Sequence, residues 1–250
     1  MGPAHRTGKV SHVDVLARLD EVVDEYVKAN RFYAAYPTRE MAQMWIKQHR
    51  LNTRIRNSVM KLAVATNCPH WDIRMKIIGA SAEELIADHE HGEGKAHWQI
   101  IEELGLAIGM SIDEIRSAEP IRTTRIAWLA WETLCRNRHW LEGLVANTCA
   151  ERANVPGYGT GLFREVGHSG VRRVQYAEAF GLGDDQLAFF KVHSIADVEH
   201  SNLGWQTVGK YAKELNMEDQ VVEACRVNLD VWKLYWEGIL DAAHAERAAA

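Results

Sequence analysis

The chain has 250 residues, 47% of them hydrophobic and 25% charged, enough apolar material for one compact core. A net charge of −5 without any long basic block argues against a nucleic-acid partner. No window of 18 apolar residues occurs, which argues against a membrane-spanning helix.

Residues 1–10 read as a short polar leader, too short and too polar for a signal peptide. The cysteines Cys68, Cys135, Cys149 and Cys225 are widely spaced and form no Cys-x-x-Cys pair, as expected of reduced thiols in a cytoplasmic protein. From residue 11 to 245 helical periodicity dominates and predicts a single all-α domain of eight or nine helices. The first helix is expected to open at Ser11 and run to about residue 30, with Leu16, Leu19, Val22, Val23 and Tyr26 on one face. Thr38 is read as the cap of a helix over 38–50. A third, over 51–66, should end before Cys68-Pro69, because a residue preceding proline avoids the helical region. Helices over 70–79 and 81–106 follow, the latter opened by the capping-box pattern Ser81-Ala-Glu-Glu84. Ser111-Ile-Asp-Glu114 repeats that signature. Helices over 122–135 and 138–154 lead to a stop at Pro156-Gly157 and a loop at 158–161. A short helix over 170–181, a long one from Asp184 to 214, and a last one over 217–244 complete the chain.

Three segments carry candidate chemistry. On the long helix His193, Asp197 and His200 fall at i, i+4 and i+7, so three potential metal ligands share one face; Asp197 could instead simply accept hydrogen bonds from the histidines. Glu90 and His97 have the same seven-residue separation, but Glu84 with His91 competes, and Asp88, His89 and Glu93 crowd the segment. Gly92 and Gly94 weaken this helix by nearly ~1 kcal/mol each. Glu151 ends an apolar helix, where it is either a ligand or a salt-bridge partner of Arg152 or Arg164. Three carboxylates and three imidazoles make a natural donor set for two iron ions. No His-Glu-x-x-His, no thiolate set and no pair of Glu-x-x-His motifs occurs, which argues against a zinc hydrolase and an ordinary ferritin-like bundle.

The stretches Glu90-x6-His97-Trp with Ile101-Glu-Glu-Leu-Gly-Leu, Ala150-Glu151-Arg-Ala-Asn-Val-Pro156 and Phe189-Phe190-x2-His193-x3-Asp197-x2-His200 resemble the haem-oxygenase-like di-iron oxidase and oxygenase family, relatives of the thiaminase-like and pyrroloquinoline-quinone synthase proteins. The resemblance implies a haem-oxygenase-like bundle of about seven core helices plus short extra helices, usually dimeric and without haem. It implies two Fe(II)/Fe(III) ions held by Glu90, His97, Glu151, His193, Asp197 and His200, the metal being held loosely by a mobile ligand helix, and O2 as co-substrate. It further implies oxidation of a small nitrogen-containing molecule in a biosynthetic pathway, with an external electron donor as a possible partner. Arg54, Arg56 and His49 would lie near the pocket, either holding a substrate carboxylate or serving as surface ion-pair residues. A cofactorless oxidase or hydrolase on the same scaffold, and a non-catalytic partner-binding bundle, are the competing readings.

Overall fold

The computed structural model describes residues 14–249; the expected leader and the Ser11 helix start lie outside that range. The architecture is the all-α, multi-helical bundle the periodicity predicts. No β-strand occurs among the described residues, where Asp88 and Lys95 form a lone antiparallel bridge.

Helix α1 (Val15–Ala29) is capped by Asp14, whose carboxylate accepts from the Leu16 amide. A single turn, α2 (Arg31–Ala34), leads to α3 (Arg39–Ile55), capped by Thr38. The two helices expected over 38–66 are one continuous rod, since neither glycine nor proline interrupts it. Within that rod Arg56–Lys61 form a π-turn before α4 (Leu62–Asn67). Such a widened turn redirects side chains, and here it buries Arg56, Asn57 and Lys61.

The expected helix over 81–106 neither starts at Ser81 nor runs unbroken, although 97–106 is helical. Helix α5 (Trp71–Leu85) runs through Ser81 without a break, so Ser81 is a buried mid-helix residue and caps nothing. Residues 86–96 form a loop, turned back by positive φ at Glu93 (54°) and Gly94 (79°), and α6 (His97–Ala107) starts afresh. After α7 (Ile112–Arg116), which uses the Ser111–Glu114 capping box, come α8 (Arg122–Asn137) and α9 (Trp140–Arg152).

Helix α10 (Gly161–Phe180) starts well before the expected 170 and bends at Gly167, where φ is 70°. A Cβ there would run into the Asn154 carbonyl, which instead accepts from the His168 amide at 2.8 Å. Helices α11 (Ala188–Glu214) and α12 (Glu218–Ala249) are the two long rods. Helix α9 packs against α8, α11 and α12, and α3 against α6 and α12, so the apolar core runs from Val15 to Ala243. The buried Arg50–Glu102 pair, 2.6 Å apart, ties α3 to α6, and Arg116 of α7 joins the same carboxylate at 2.8 Å. No described helix is long and apolar enough to cross a membrane.

Candidate metal centre

His97 is the first residue of α6, and Glu84 is next to last in α5. The loop between them therefore folds two helix ends together. Glu84 Oε2 lies 3.1 Å from His97 Nδ1, and the other ring nitrogen, Nε2, lies 3.0 Å from Oδ2 of the fully buried Asp88. Asp88 itself is pinned by the Glu90 and His91 amides, which donate to Oδ1. His193 on α11 completes the group. Its ring lies 4.6 Å from that of His97, and donor atoms of Glu84, His97 and His193 all fall within 4.8 Å of one another. His193 Nδ1 lies 2.9 Å from the Phe189 carbonyl, to which it donates, leaving Nε2 uncommitted.

Asp197, one turn beyond His193, is buried and accepts from Asn154 Nδ2 at 3.2 Å. Glu151, at the end of α9, is met by the Lys61 ammonium at 2.9 Å. Arg152 and Arg164, the partners the sequence offered for Glu151, turn elsewhere: Arg152 to Tyr158 and Asn202, Arg164 toward Asp24. His200, two turns along from His193, pairs with Glu83 at 3.1 Å and lines a second, more apolar cavity with Lys61 and Glu151. Glu151, Asp197, His193 and Glu84 line the main cavity, about 730 Å³ of empty space.

Glu90 is the exception. It sits exposed in the 86–96 loop, beside His91 and Glu199, in a second, outward-facing acidic and imidazole group. The helix face assumed for Glu90 and His97 does not exist, because the chain turns back at Glu93 and Gly94. Glu84 stands where that carboxylate was expected. Glu84 was offered by the sequence only as a partner of His91, Asp88 only as a crowding neighbour, and Lys61 not at all. A lysine among Val59, Met60, Leu62 and Ala63 was the one available signal for the latter.

The electrostatics belong to a site short of positive charge. Burial disfavours the His97 cation, yet the Glu84 and Asp88 carboxylates outweigh it and push its pKa up to about 9. Burial would raise Glu84, but His97, Lys61 and His193 hold it well below the usual carboxylate range. Burial, followed by the charge on His97, pushes His193 down to about 4. Burial and the neighbouring Glu151 and Glu84 charges push Asp197 well above its usual value.

These donors fit a metal. His97 Nδ1 has Glu84 Oε2 as its neighbour, and their 3.1 Å separation is that of two donors around one ion, on the order of 3 Å for bonds near 2.1 Å. On each imidazole one nitrogen is oriented by a protein oxygen and the other faces the cluster, the arrangement metal-ligating histidines show. The mixed carboxylate and imidazole set suits iron.

The family described as iron-containing redox enzymes matches residues 43–233. A 4-aminobenzoate synthase of Nitrosomonas europaea is 25% identical over 248 residues, covering 93% of this chain and 92% of that protein. Among solved structures, a domain of unknown function with a haem-oxygenase-like fold from Shewanella denitrificans superposes with a TM-score of 0.68 at 12% identity, covering 94% of this chain and 93% of that one. A CADD-like protein of unknown function from Nostoc punctiforme gives 0.64 at 13% identity, covering 93% and 92%. These likenesses show a haem-oxygenase-like fold.

Proposed function

The chain belongs to the family of iron-containing redox enzymes, and from that premise we propose that it is a non-haem di-iron oxidase or oxygenase that uses O2 to oxidise a small nitrogen-containing molecule. The observation that carries the reading is the grouping of Glu84, His97 and His193 beside an aromatic-walled cavity that Glu84, His193, Asp197 and Glu151 line. His97, Glu151, His193, Asp197 and His200 remain the proposed ligands: His97 and His193 stand together beside Glu84, Asp197 and Glu151 border the same cavity, and His200 lines the neighbouring one. Glu84 supplies the carboxylate beside His97, in place of the exposed Glu90. The relative named 4-aminobenzoate synthase supports an aromatic, nitrogen-bearing substrate or product.

Bound iron would supply the binding and activation of O2. The protein's part is to hold donors and place the substrate. Asp88 orients His97, and the Phe189 carbonyl orients His193. Trp45, Phe189, Phe190 and Trp236 give the cavity an apolar, aromatic wall.

Anaerobic ferrous titration followed by O2 exposure tests the reading. About two irons per chain are expected from the six-ligand set, with an O2-dependent absorption change. Substituting His193→Ala or Asp197→Asn should abolish that change. Glu84→Gln should lower iron content while Glu90→Gln leaves it intact; the reverse result would move the carboxylate to Glu90. A folded protein that takes up no iron would sink the proposal.

A further inference from the structure

Among the described residues, buried cations have accountable partners, with one exception. Arg50 meets Glu102 and Lys61 meets Glu151. Arg172 has no carboxylate, but its guanidinium is saturated by the Phe32 and Ala35 carbonyls, Gln175 and His168. Arg56 is 8% exposed and lines the main cavity, yet it makes a single hydrogen bond, from NH2 to the Asn147 carbonyl at 3.1 Å. No carboxylate oxygen of a described residue lies within ion-pair distance of it, although its charge is felt at Glu151. Five N–H donors with one acceptor are a poor end state for a buried guanidinium.

Its surroundings show the same imbalance. Of the residues lining this cavity, Trp45 and Trp232 each keep a buried indole N–H without a partner, and Asn57 Oδ1 is the one unpaired buried acceptor. Glu84, Glu151 and Asp197 line the same cavity, but none of them pairs with Arg56, so at the Arg56 end the missing partner is an anionic acceptor. The wall joining Arg56 to the metal cluster is a continuous series of rings. The guanidinium carbon lies 5.2 Å over the Trp232 ring, Trp232 stacks on Trp236 at 5.5 Å, and Trp236 meets His49 at 5.2 Å. His49 meets Phe189 at 5.9 Å, and Phe189 stacks on His193 at 4.1 Å.

We propose that the main cavity binds a carboxylate with a flat, apolar body: Arg56 takes the carboxylate, the Trp232–Trp236–His49–Phe189 wall takes the body, and the far end lies beside His193. A guanidinium presents the fork that a carboxylate accepts in two parallel hydrogen bonds, and flat rings favour flat ligands. The inference rests on the iron reading only in naming the end beside His193 as the reacting end.

Binding decides it, without turnover. Benzoate, 4-aminobenzoate and phenylacetate are titrated calorimetrically into the full chain, metal-free and then loaded with Fe(II) under anaerobic conditions, beside the corresponding amides. At least one acid should bind at least about tenfold tighter than its amide, the scale of one charge-assisted hydrogen bond. Arg56→Gln should erase that preference, weakening acid binding more than amide binding, and Arg56→Lys should restore part of it. The acid-to-amide comparison on the unsubstituted protein stands even where a variant fails to fold. Equal affinity for acid and amide, an unchanged preference in Arg56→Gln, or no binding of any acid in either state would overturn the assignment. A protein that takes up no iron but still selects acids through Arg56 keeps this inference and loses the metal reading; one that takes up iron and ignores the carboxylate does the reverse.

Discussion

Lys61→Met probes the metal centre through a residue that is not itself a ligand. The ammonium is carried on the π-turn, its side chain is 5% exposed, and its partner among the described residues is Glu151, 2.9 Å away and itself 16% exposed. Methionine keeps the length and volume, so packing losses are small. The change that matters is electrostatic. Removing one partner of a buried pair costs about 3–5 kcal/mol because the other charge is left uncompensated. Glu151 borders two cavities and can also take up a proton, so the lower end, about 3 kcal/mol, applies. At about 2–4 °C per kcal/mol for a chain of this size, the metal-free variant should melt roughly 6–12 °C lower.

The metal-loaded variant should behave differently. A cation bound to Glu151 replaces the missing ammonium, and metal no longer competes with Lys61 for that carboxylate. Loading with Fe(II) under anaerobic conditions, or with Zn(II), should therefore raise the melting temperature of Lys61→Met more than that of the unsubstituted protein. Calorimetric scans of both proteins with metal and with chelator measure the four values required. An equal fall in both states would show that Glu151 does not serve the metal. No fall in either would show that the pair is not worth what its burial implies.

Two further predictions come from the surroundings of His97. Asp88→Asn keeps the Oδ1 acceptor that pins the loop but turns a donor toward Nε2; the ring proton then moves to Nδ1, facing Glu84, and metal affinity measured by chelator competition should fall about 10–100-fold. An unchanged affinity would remove Asp88 from the orienting role. The second concerns pH and the metal-free protein. His97 is raised in the fold to about 9, so its contribution is complete below the unfolded value near 6.5 and is lost as pH rises toward 9. His49, lowered to about 3, and His193, lowered to about 4, work oppositely: burial keeps them neutral, and stability falls as pH drops below about 6.5. Urea midpoints should accordingly peak near pH 6.5 and correspond to a loss of about 2–3 kcal/mol by pH 8.5, before buried cysteines begin to matter. A flat profile across that interval would contradict the charged His97.

Much of the site was legible where a helix was uninterrupted. His193 and Asp197 border one cavity because α11 runs unbroken from Ala188 to Glu214, whereas His200, three residues on, lines the neighbouring cavity and pairs with Glu83. Glu151 was recognisable as a carboxylate at the end of an apolar helix, but its Lys61 partner, 90 residues away in sequence, was not. The separation of Glu90 and His97 misled because a seven-residue spacing means a shared face only inside a helix, and two glycines flanking Glu93 let the chain reverse instead. The Ser81–Glu84 pattern misled for a related reason: a capping box needs a non-helical residue at its start, and α5 was already under way. The aromatic wall draws on α3, α11 and α12, and no periodicity within one helix reports which faces of three helices meet.

The loop that spoiled the spacing argument also explains why the site wants a cation. A helix favours negative charge at its start and positive charge at its end, by about 0.3–1 kcal/mol each. Here both are reversed. Glu84 sits in the last turn of α5, and the His97 imidazolium opens α6. Each charge is tolerated because it faces the other, with Asp88 adding a second carboxylate to one proton. Two carboxylates therefore share a single imidazolium, while Glu151 borrows its charge from Lys61 and Asp197 is driven toward its neutral form. A divalent ion held by Glu84, His97 and His193 would face the negative end of α5 and return His97 to the neutral ring that suits a helix start. A second, held by Glu151 and Asp197, would release Lys61 and let Asp197 ionise. A hydrogen-bonded core would gain nothing by reversing both helix ends, which is why this geometry favours a metal centre over a set of paired polar residues.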